Sequence, residues 1–241
     1  MKKTKKELRQ EATKLANRMH HNLSNANNVE NLLQAIPTLA VFTSLQANFQ
    51  GKESAVNIRF YNSAKALPEK TLDACLDLFK ANMSEMYEES SWGLDMKAKR
   101  NELTHPNARY IIATKNEGEK GNDNDNGNGN DSNGNDEILA FAHFRFEGDD
   151  DDQPTREVLY LYELQINVMA QRNGLGKRMM QILEIVGMQM QMRCVMLTVF
   201  KKNTKAFLFY EKLKYKVDEI SPSKFGEEAD YEIMSKCVYK G

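Results

Sequence analysis

Gln171, Arg172, Asn173, Gly174, Leu175, Gly176 and Lys177 have the composition of a phosphate-binding turn. Two glycines let the backbone bend sharply and approach a ligand. The helix expected to begin here supplies N–H groups without intrahelical acceptors and the positive end of its dipole, to which Arg172 and Lys177 add charge. A Walker loop would require Gly at 171 and Ser or Thr at 178, where the chain has Gln171 and Arg178. A dinucleotide fingerprint would require a third glycine at 179, where Met179 stands. On its own a Gly-x-Gly also fits a plain helix-entry turn. Just upstream, Glu163 interrupts the apolar run VLYLYELQI at 158–166. A carboxylate without a partner is costly in such a strand, so Glu163 should be ion-paired, raised in pKa or functional. A salt-bridged core glutamate and a proton acceptor are the two readings of that residue.

The elements that hold these residues follow from hydrophobic period. The run 158–166 reads as a strand buried on both faces, followed by a helix at 174–192, a strand at 194–200, a helix at 204–213 and strand signals at 215–217 and 231–234. Strand, helix, strand implies a parallel pair with a right-handed crossover. In the first half, VNIRFYN at 56–62 alternates like a strand. A helix then starts near Pro68 with Leu72, Cys75, Leu76, Phe79, Met83 and Met86 as its buried stripe. Strands are expected at 109–114 and 138–146, flanking a tract (117–136) that holds five of the chain's 13 glycines and nothing that could build a core. That tract reads as a disordered insertion, tolerated because loop-closure entropy grows slowly with length. The fold class is α/β, a mixed and mostly antiparallel sheet with a central parallel pair and flanking helices.

The first 54 residues are expected to be a basic helical segment packing on a domain at 55–241, with Leu8, Ala12, Leu15, Ala16 and Met19 as an apolar stripe beneath lysines. A solvated basic helix, a nuclear-targeting signal and a contact to ribosome or nucleic acid all fit such a segment. The chain of 241 residues has 33 Lys and Arg against 34 Asp and Glu, but the charges are segregated. The first 20 residues hold seven basic and two acidic side chains, while EGDDDD at 147–152 holds five acids in six positions. Such a body suits basic partners better than nucleic acid. No apolar run approaches the ~20 residues of a membrane helix and the N-terminus lacks a signal core, so a cytoplasmic or nuclear protein is expected. Cys75, Cys194 and Cys237 each read as a lone buried thiol, with neither a disulfide framework nor a metal spacing.

The turn 171–177, with a long apolar strand before it and a strand, Asn203 and an aromatic-rich helix after it, resembles the acetyl-CoA site of the GNAT acetyltransferase superfamily. The segments NMSEMYEESSWG, FAHFRF, LYLYELQI, GLGK, QMRCVMLTVFKKN and YEIMSK further resemble the NatD-type N-terminal acetyltransferases, which modify the α-amino group of histones H4 and 2A. The likeness covers about 82–236, and the Asn/Asp/Gly tract departs from it. It implies a GNAT fold and acetyl-CoA as cofactor. Arg172, Asn173, Gly174, Leu175, Gly176 and Lys177 would take the pyrophosphate, Leu164, Gln165 and Ile166 the pantetheine arm on a splayed strand, and Asn203 the helix-start position. The peptide-contacting positions would be Tyr87, Trp92, Glu147, Gly148, Asp149, Tyr160, Tyr162, Thr198 and Tyr231. Glu163 would handle the proton with Tyr162 positioning the amine, and Tyr210 matches a tyrosine that acts as thiolate acid in many GNAT enzymes, although a helix aromatic also fits core. An α-amine with pKa near 8 needs only a modest base. Glu147 and Asp149 match acids that receive the arginine of a Ser-Gly-Arg-Gly start, and no covalent enzyme intermediate is implied. The expected partners are the tails of histones H4 and 2A, with the ribosome as an alternative contact of the basic N-terminus and a monomer as the working form. The rivals are a GNAT enzyme acting on lysines or small amines and a non-catalytic histone-tail binder.

Overall fold

The computed structural model describes residues 4–49, 52–115, 137–150 and 152–239. Its elements are α1 (Lys5–Asn27), α2 (Leu32–Ala35), β1 (Ser44–Phe49), β2 (Lys52–Tyr61), α3 (Glu69–Glu88), α4 (Met96–Leu103), β3 (Arg109–Lys115), β4 (Ile138–Gly148), β5 (Glu157–Ile166), α5 (Leu175–Gln189), β6 (Cys194–Phe200), α6 (Thr204–Lys212), β7 (Lys216–Val217) and β8 (Tyr231–Cys237). Among the described residues the strands form an eight-stranded sheet in the order β1-β2-β3-β4-β5-β6-β8-β7. Ladders β1–β2, β2–β3, β6–β8 and β7–β8 are antiparallel, and β5–β6 is parallel. This is the mixed sheet with one parallel pair that the strand-helix-strand order implies.

The chain divides into two compact units, one of Met1–Ile36, Phe144–Tyr162 and Met180–Gly241, the other of Pro37–His143 and Glu163–Met179. In the second unit, α3 buries Leu72, Cys75, Leu76 and Phe79 against Leu103, Ala108, Tyr110, Ile112 and Phe141. That spacing is the stripe read from the sequence. In the first unit Val158, Cys194 and Met196 form a core flanked by Tyr160, Ile220 and Ile233.

Three elements go beyond the sequence expectation. The edge strand β1, SLQANF, alternates Leu45, Ala47 and Phe49 with polar residues, a period-2 signature that the sequence reading missed. The short α2 is capped by Asn31, whose Oδ1 accepts from Leu33 and Gln34 N–H. The polar α4 (MKAKRNEL) starts on Asp95, whose carboxylate accepts from Lys97 and Ala98 N–H at 2.9 Å, and it buries Lys99 and Leu103. The helix expected to run to 192 ends at Gln189, because Gln191 takes a left-handed conformation (φ 60°) that closes it.

Two side-chain expectations are corrected. The stripe of α1 does not pack along its length: Leu8 and Leu15 are 54% and 41% exposed. The helix is held instead by polar contacts near its end, Asn22 Nδ2 to Glu157 Oε1 at 2.8 Å and Asn27 Nδ2 to the Phe146 carbonyl at 3.1 Å. The thiols of Cys194 and Cys237 are not isolated, since the two sulfurs lie 3.6 Å apart and Cys237 is exposed. The tract expected to be a disordered insertion lies outside the described residues, apart from the Lys115 N–H to Glu137 carbonyl bond (3.1 Å) that joins its two sides.

Candidate active site

In the second unit, the sequence places Glu163 and Gln165 two residues apart on β5, which puts them on one face of the strand. Glu163 is 5% exposed and its two oxygens have different partners: Oε1 accepts from Lys99 Nζ at 2.8 Å and Oε2 from Gln165 Nε2 at 2.6 Å. Gln165 Oε1 in turn accepts from Asn82 Nδ2 (3.0 Å), which also reaches the Ile166 carbonyl (3.2 Å). Lys99, itself 7% exposed, donates further to Glu102 Oε1 at 2.8 Å and to the Tyr87 hydroxyl at 3.2 Å. Its ammonium lies 4.7 Å from the Phe79 ring centroid, and Tyr87 meets Trp92 edge to face at 5.9 Å. The structure therefore links Glu163 to Tyr87 through a lysine from a third segment, and Tyr87 carries the link to Trp92, five residues on.

The charges in this cluster follow from burial and neighbours. Burial lifts the Glu163 carboxyl above the ordinary glutamate value against the pull of Lys99, and the Glu102 carboxylate adds to the rise. Burial opposes the charge of Lys99, but Glu163 and Glu102 outweigh it and hold the ammonium protonated. Burial and Glu163 push the Tyr87 hydroxyl up to about 12. One cation thus serves two carboxylates.

The same unit holds the glycine turn. Gly174 has φ 79° and open space where a Cβ would stand, and Arg172 also lies at positive φ (65°). The first intrahelical acceptor is the Gly174 carbonyl, bonded by Arg178 N–H at 3.0 Å. The N–H groups of Leu175, Gly176 and Lys177 are consequently without α-helical acceptors, the arrangement an anion requires. The Leu175 side chain is buried, so only its backbone faces that role, and Asn173 Nδ2 bonds the Gln171 carbonyl at 3.2 Å. This donor set, with the cationic residues Arg172 and Lys177, fits the pyrophosphate of a coenzyme A. Leu164, Gln165 and Ile166 occupy the end of β5 beyond the four-residue parallel ladder Val158–Leu161 with Cys194–Leu197. Of these, Gln165 commits its side chain to Glu163 and Asn82, leaving backbone groups as its means of binding the pantetheine arm.

The first unit gathers another set. The Tyr160 hydroxyl lies 2.6 Å from Thr198 Oγ1, the rings of Tyr160 and Tyr162 are 5.1 Å apart, and the Tyr162 hydroxyl donates to Glu147 Oε1 at 2.8 Å. The Arg145 guanidinium stacks over Tyr162 at 4.1 Å. Burial and the Glu147 carboxylate raise the Tyr162 pKa, so this hydroxyl stays protonated as a donor. Tyr231 begins β8 opposite Phe200. Asn203 is the N-cap of α6, its Oδ1 accepting from Ala206 N–H at 3.1 Å. Tyr210 is buried with its ring against Phe209 and Tyr215 at 5.2 and 5.9 Å.

Asp149 stands apart from the other acids of its loop. Its carboxylate accepts from Thr155 N–H (2.7 Å), Thr155 Oγ1 (2.9 Å), Arg156 N–H (3.0 Å) and Arg156 Nε (2.7 Å). Arg156 also forks onto Asp218 at 2.8 and 3.2 Å, and Ser235 donates to the same carboxylate. Burial alone would raise the Asp149 pKa, yet these donors bring it below the ordinary aspartate value. Gly148 is required by the same turn, since a Cβ there would lie 2.5 Å from Pro154 Cβ. Asp149 and Gly148 therefore shape the loop, while Glu147 joins the tyrosine set.

Sequence reasoning missed Lys99, Glu102 and Asn82. A lysine in MKAKRNEL has no signature separating it from its solvated neighbours. The available signal was indirect: a strand glutamate requires a cation, and none is close in sequence.

The chain matches the acetyltransferase (GNAT) family over residues 73–215, more than half its length, and belongs to that family. Solved structures similar to it include a putative GNAT acetyltransferase from Desulfovibrio desulfuricans (12% identity, TM-score 0.49, covering 76% of this chain and 99% of that one). Arabidopsis thaliana NAA60 with a bisubstrate analogue is similar at 12% identity and TM-score 0.48 (75% and 99% covered). The Escherichia coli ribosomal-protein-S18-alanine N-acetyltransferase is similar at 15% and 0.46 (76% and 96% covered). As a family member the protein is an acyltransferase that uses acetyl-CoA.

Proposed function

We propose that this enzyme transfers an acetyl group to the N-terminal α-amine of histones H4 and 2A, at a Ser-Gly-Arg-Gly start. The observation that carries the reading is Glu163: a buried carboxylate with raised pKa, tied through Lys99 to Tyr87. Acetyl-CoA supplies the acetyl group as a thioester. The turn 172–177 holds the pyrophosphate through backbone N–H groups with Arg172 and Lys177. Glu163 accepts the amine proton, directly or through one water, using the lone pairs that Lys99 and Gln165 leave on its oxygens. Trp92, 48% exposed and edge to face with Tyr87, covers the short N-terminal residues. Glu147 receives the third-residue arginine.

The reading puts the enzyme in the cytoplasm and nucleus as a monomer, with the acidic loop attracting basic tails through salt-sensitive steering. An acetyl-transfer assay tests it, comparing an SGRGK peptide with the same peptide blocked at its N-terminus. Turnover of the open peptide alone supports the assignment. Equal turnover of both makes lysine the acceptor, and no turnover of either refutes the substrate.

A further inference from the structure

We propose that Lys99 is the positioning residue of Glu163, holding the carboxylate in one rotamer and setting, jointly with Glu102, the pH at which it can accept a proton. The inference rests on Glu163 acting as the base in the proposed reaction. Its ground is geometric. A single buried ammonium lies 2.8 Å from the buried Glu163 and 2.8 Å from Glu102, whose side chain is 30% exposed, and a third bond to Tyr87 completes its donors. Phe79 and Tyr87 wall the ammonium, at 4.7 and 5.3 Å to their centroids. The groups facing the cluster are Tyr87 and Phe79 from α3, Glu102 from α4, Gln165 on β5 and His143 on β4, whose Nδ1 is 4.0 Å from Glu102. An ammonium has three donors and all three are directed here, so Glu163 cannot rotate without breaking the arrangement.

The two neighbours act with opposite sign. Lys99 favours ionised Glu163 and Glu102 disfavours it. In the pH profile of kcat/KM, Lys99→Met should move the acid limb upward by about one to three units, and Glu102→Gln should move it downward. In Lys99→Met, kcat should also fall roughly tenfold or more while peptide KM and the thermal shift with CoA stay near wild type. Lys99→Arg should keep the limb near its wild-type position. If Lys99→Met fails to fold, the double variant Lys99→Met/Glu163→Gln removes the stranded charge, and Glu102→Gln still reads the electrostatic arm. Limbs unmoved in folded Lys99→Met and Glu102→Gln, with Glu163→Gln slowed, overturn this inference alone. A Glu163→Gln enzyme with normal kcat overturns the base assignment beneath it.

From a separate observation we infer that Cys194 and Cys237 are an oxidisable pair. They sit opposite one another in the β6–β8 ladder with sulfurs 3.6 Å apart. The Val238 N–H to Arg193 carbonyl bond at the adjoining position makes theirs a non-hydrogen-bonded pair, where Cα atoms approach to about 4.5 Å, inside the range a disulfide spans. Burial pushes the Cys194 thiol up to about 12, so the exposed Cys237 reacts first. Its sulfur attacks hydrogen peroxide, forming a sulfenic acid and releasing water. Cys194 then displaces the sulfenic oxygen as a second water, so two thiols and one peroxide give a disulfide and two waters. Peroxide treatment of the full chain, followed by alkylation under denaturing conditions and mass spectrometry, should show Cys75 alkylated and the other two linked, reversibly with reductant. Cys237→Ser should abolish the linkage. Full alkylation of all three thiols, or a sulfinic Cys237 without linkage, overturns the inference.

Discussion

Replacing Asp149 with asparagine separates a loop-shaping carboxylate from a substrate-binding one. The amide keeps one oxygen, which can still accept from the Thr155 and Arg156 N–H groups, but its NH2 faces Arg156 Nε, a donor now 2.7 Å away. One charge-assisted bond is lost, worth about 1.5 to 3 kcal/mol, and a partly buried donor is stranded, giving a total of roughly 2 to 4 kcal/mol. In a chain of this size that lowers Tm by roughly 5 to 15 °C. The sign with pH is fixed by the depressed pKa of Asp149: its contribution is present above the unfolded-state value near 4 and is lost as pH falls through the lower folded-state value. Thermal unfolding of wild type and Asp149→Asn should therefore differ most at pH 7 and converge as the pH falls through the folded-state value. An Asp149→Asn protein that melts within a degree of wild type at pH 7, yet binds SGRGK about tenfold more weakly, would refute the loop-shaping role and return Asp149 to the substrate.

The remaining expectations are compact. Gly174→Asp and Gly174→Asn place in open space the two side chains that best tolerate a positive φ and carry the same backbone strain, so CoA should raise the Tm of the Asn variant and much less that of the Asp variant; equal shifts would remove the turn from the phosphate site. Glu147→Gln should weaken SGRGK about ten- to a hundredfold and add little when the peptide arginine is already alanine, with full additivity refuting the contact. Deleting 122–135 should leave turnover near wild type, because Lys115 and Glu137 already close the strand pair; a large loss in a stable deletion would assign the tract a function.

Helix α3 and the central strands were legible because each buries a regular face: Leu72, Cys75, Leu76 and Phe79 recur at helical spacing, and CVMLTVF is apolar on both faces. The glycine turn was legible because phosphate chemistry is local, with donors, glycines and cations within seven residues. The partners of Glu163 were hidden for the opposite reason. Lys99 lies 64 positions away on a helix whose composition is that of a solvated face, so only the fold shows that its ammonium is buried. The bonds of Asp149 were hidden in a complementary way. In an acidic run every carboxylate has the same sequence signature, and only Arg156, held also by Asp218, distinguishes the internal one.

The Glu163 environment also bears on which amine the enzyme can use. A carboxylate held by Lys99 is a restrained base, able to take a proton from an amine that is already partly neutral but poorly placed to deprotonate a strong one. An α-amine with pKa near 8 is roughly one-tenth neutral at pH 7, whereas a lysine side chain near 10.4 is neutral about once in two to three thousand. With SGRGK, kcat/KM should climb through two titrations, the Glu163 limb that Lys99→Met moves and the loss of the α-amine proton, and level off once the α-amine is neutral near about 8. A lysine acceptor would instead carry the climb to about 10. A profile still rising tenfold per unit above about pH 9 would mean that the enzyme waits for an ε-amine, and the N-terminal assignment would fall.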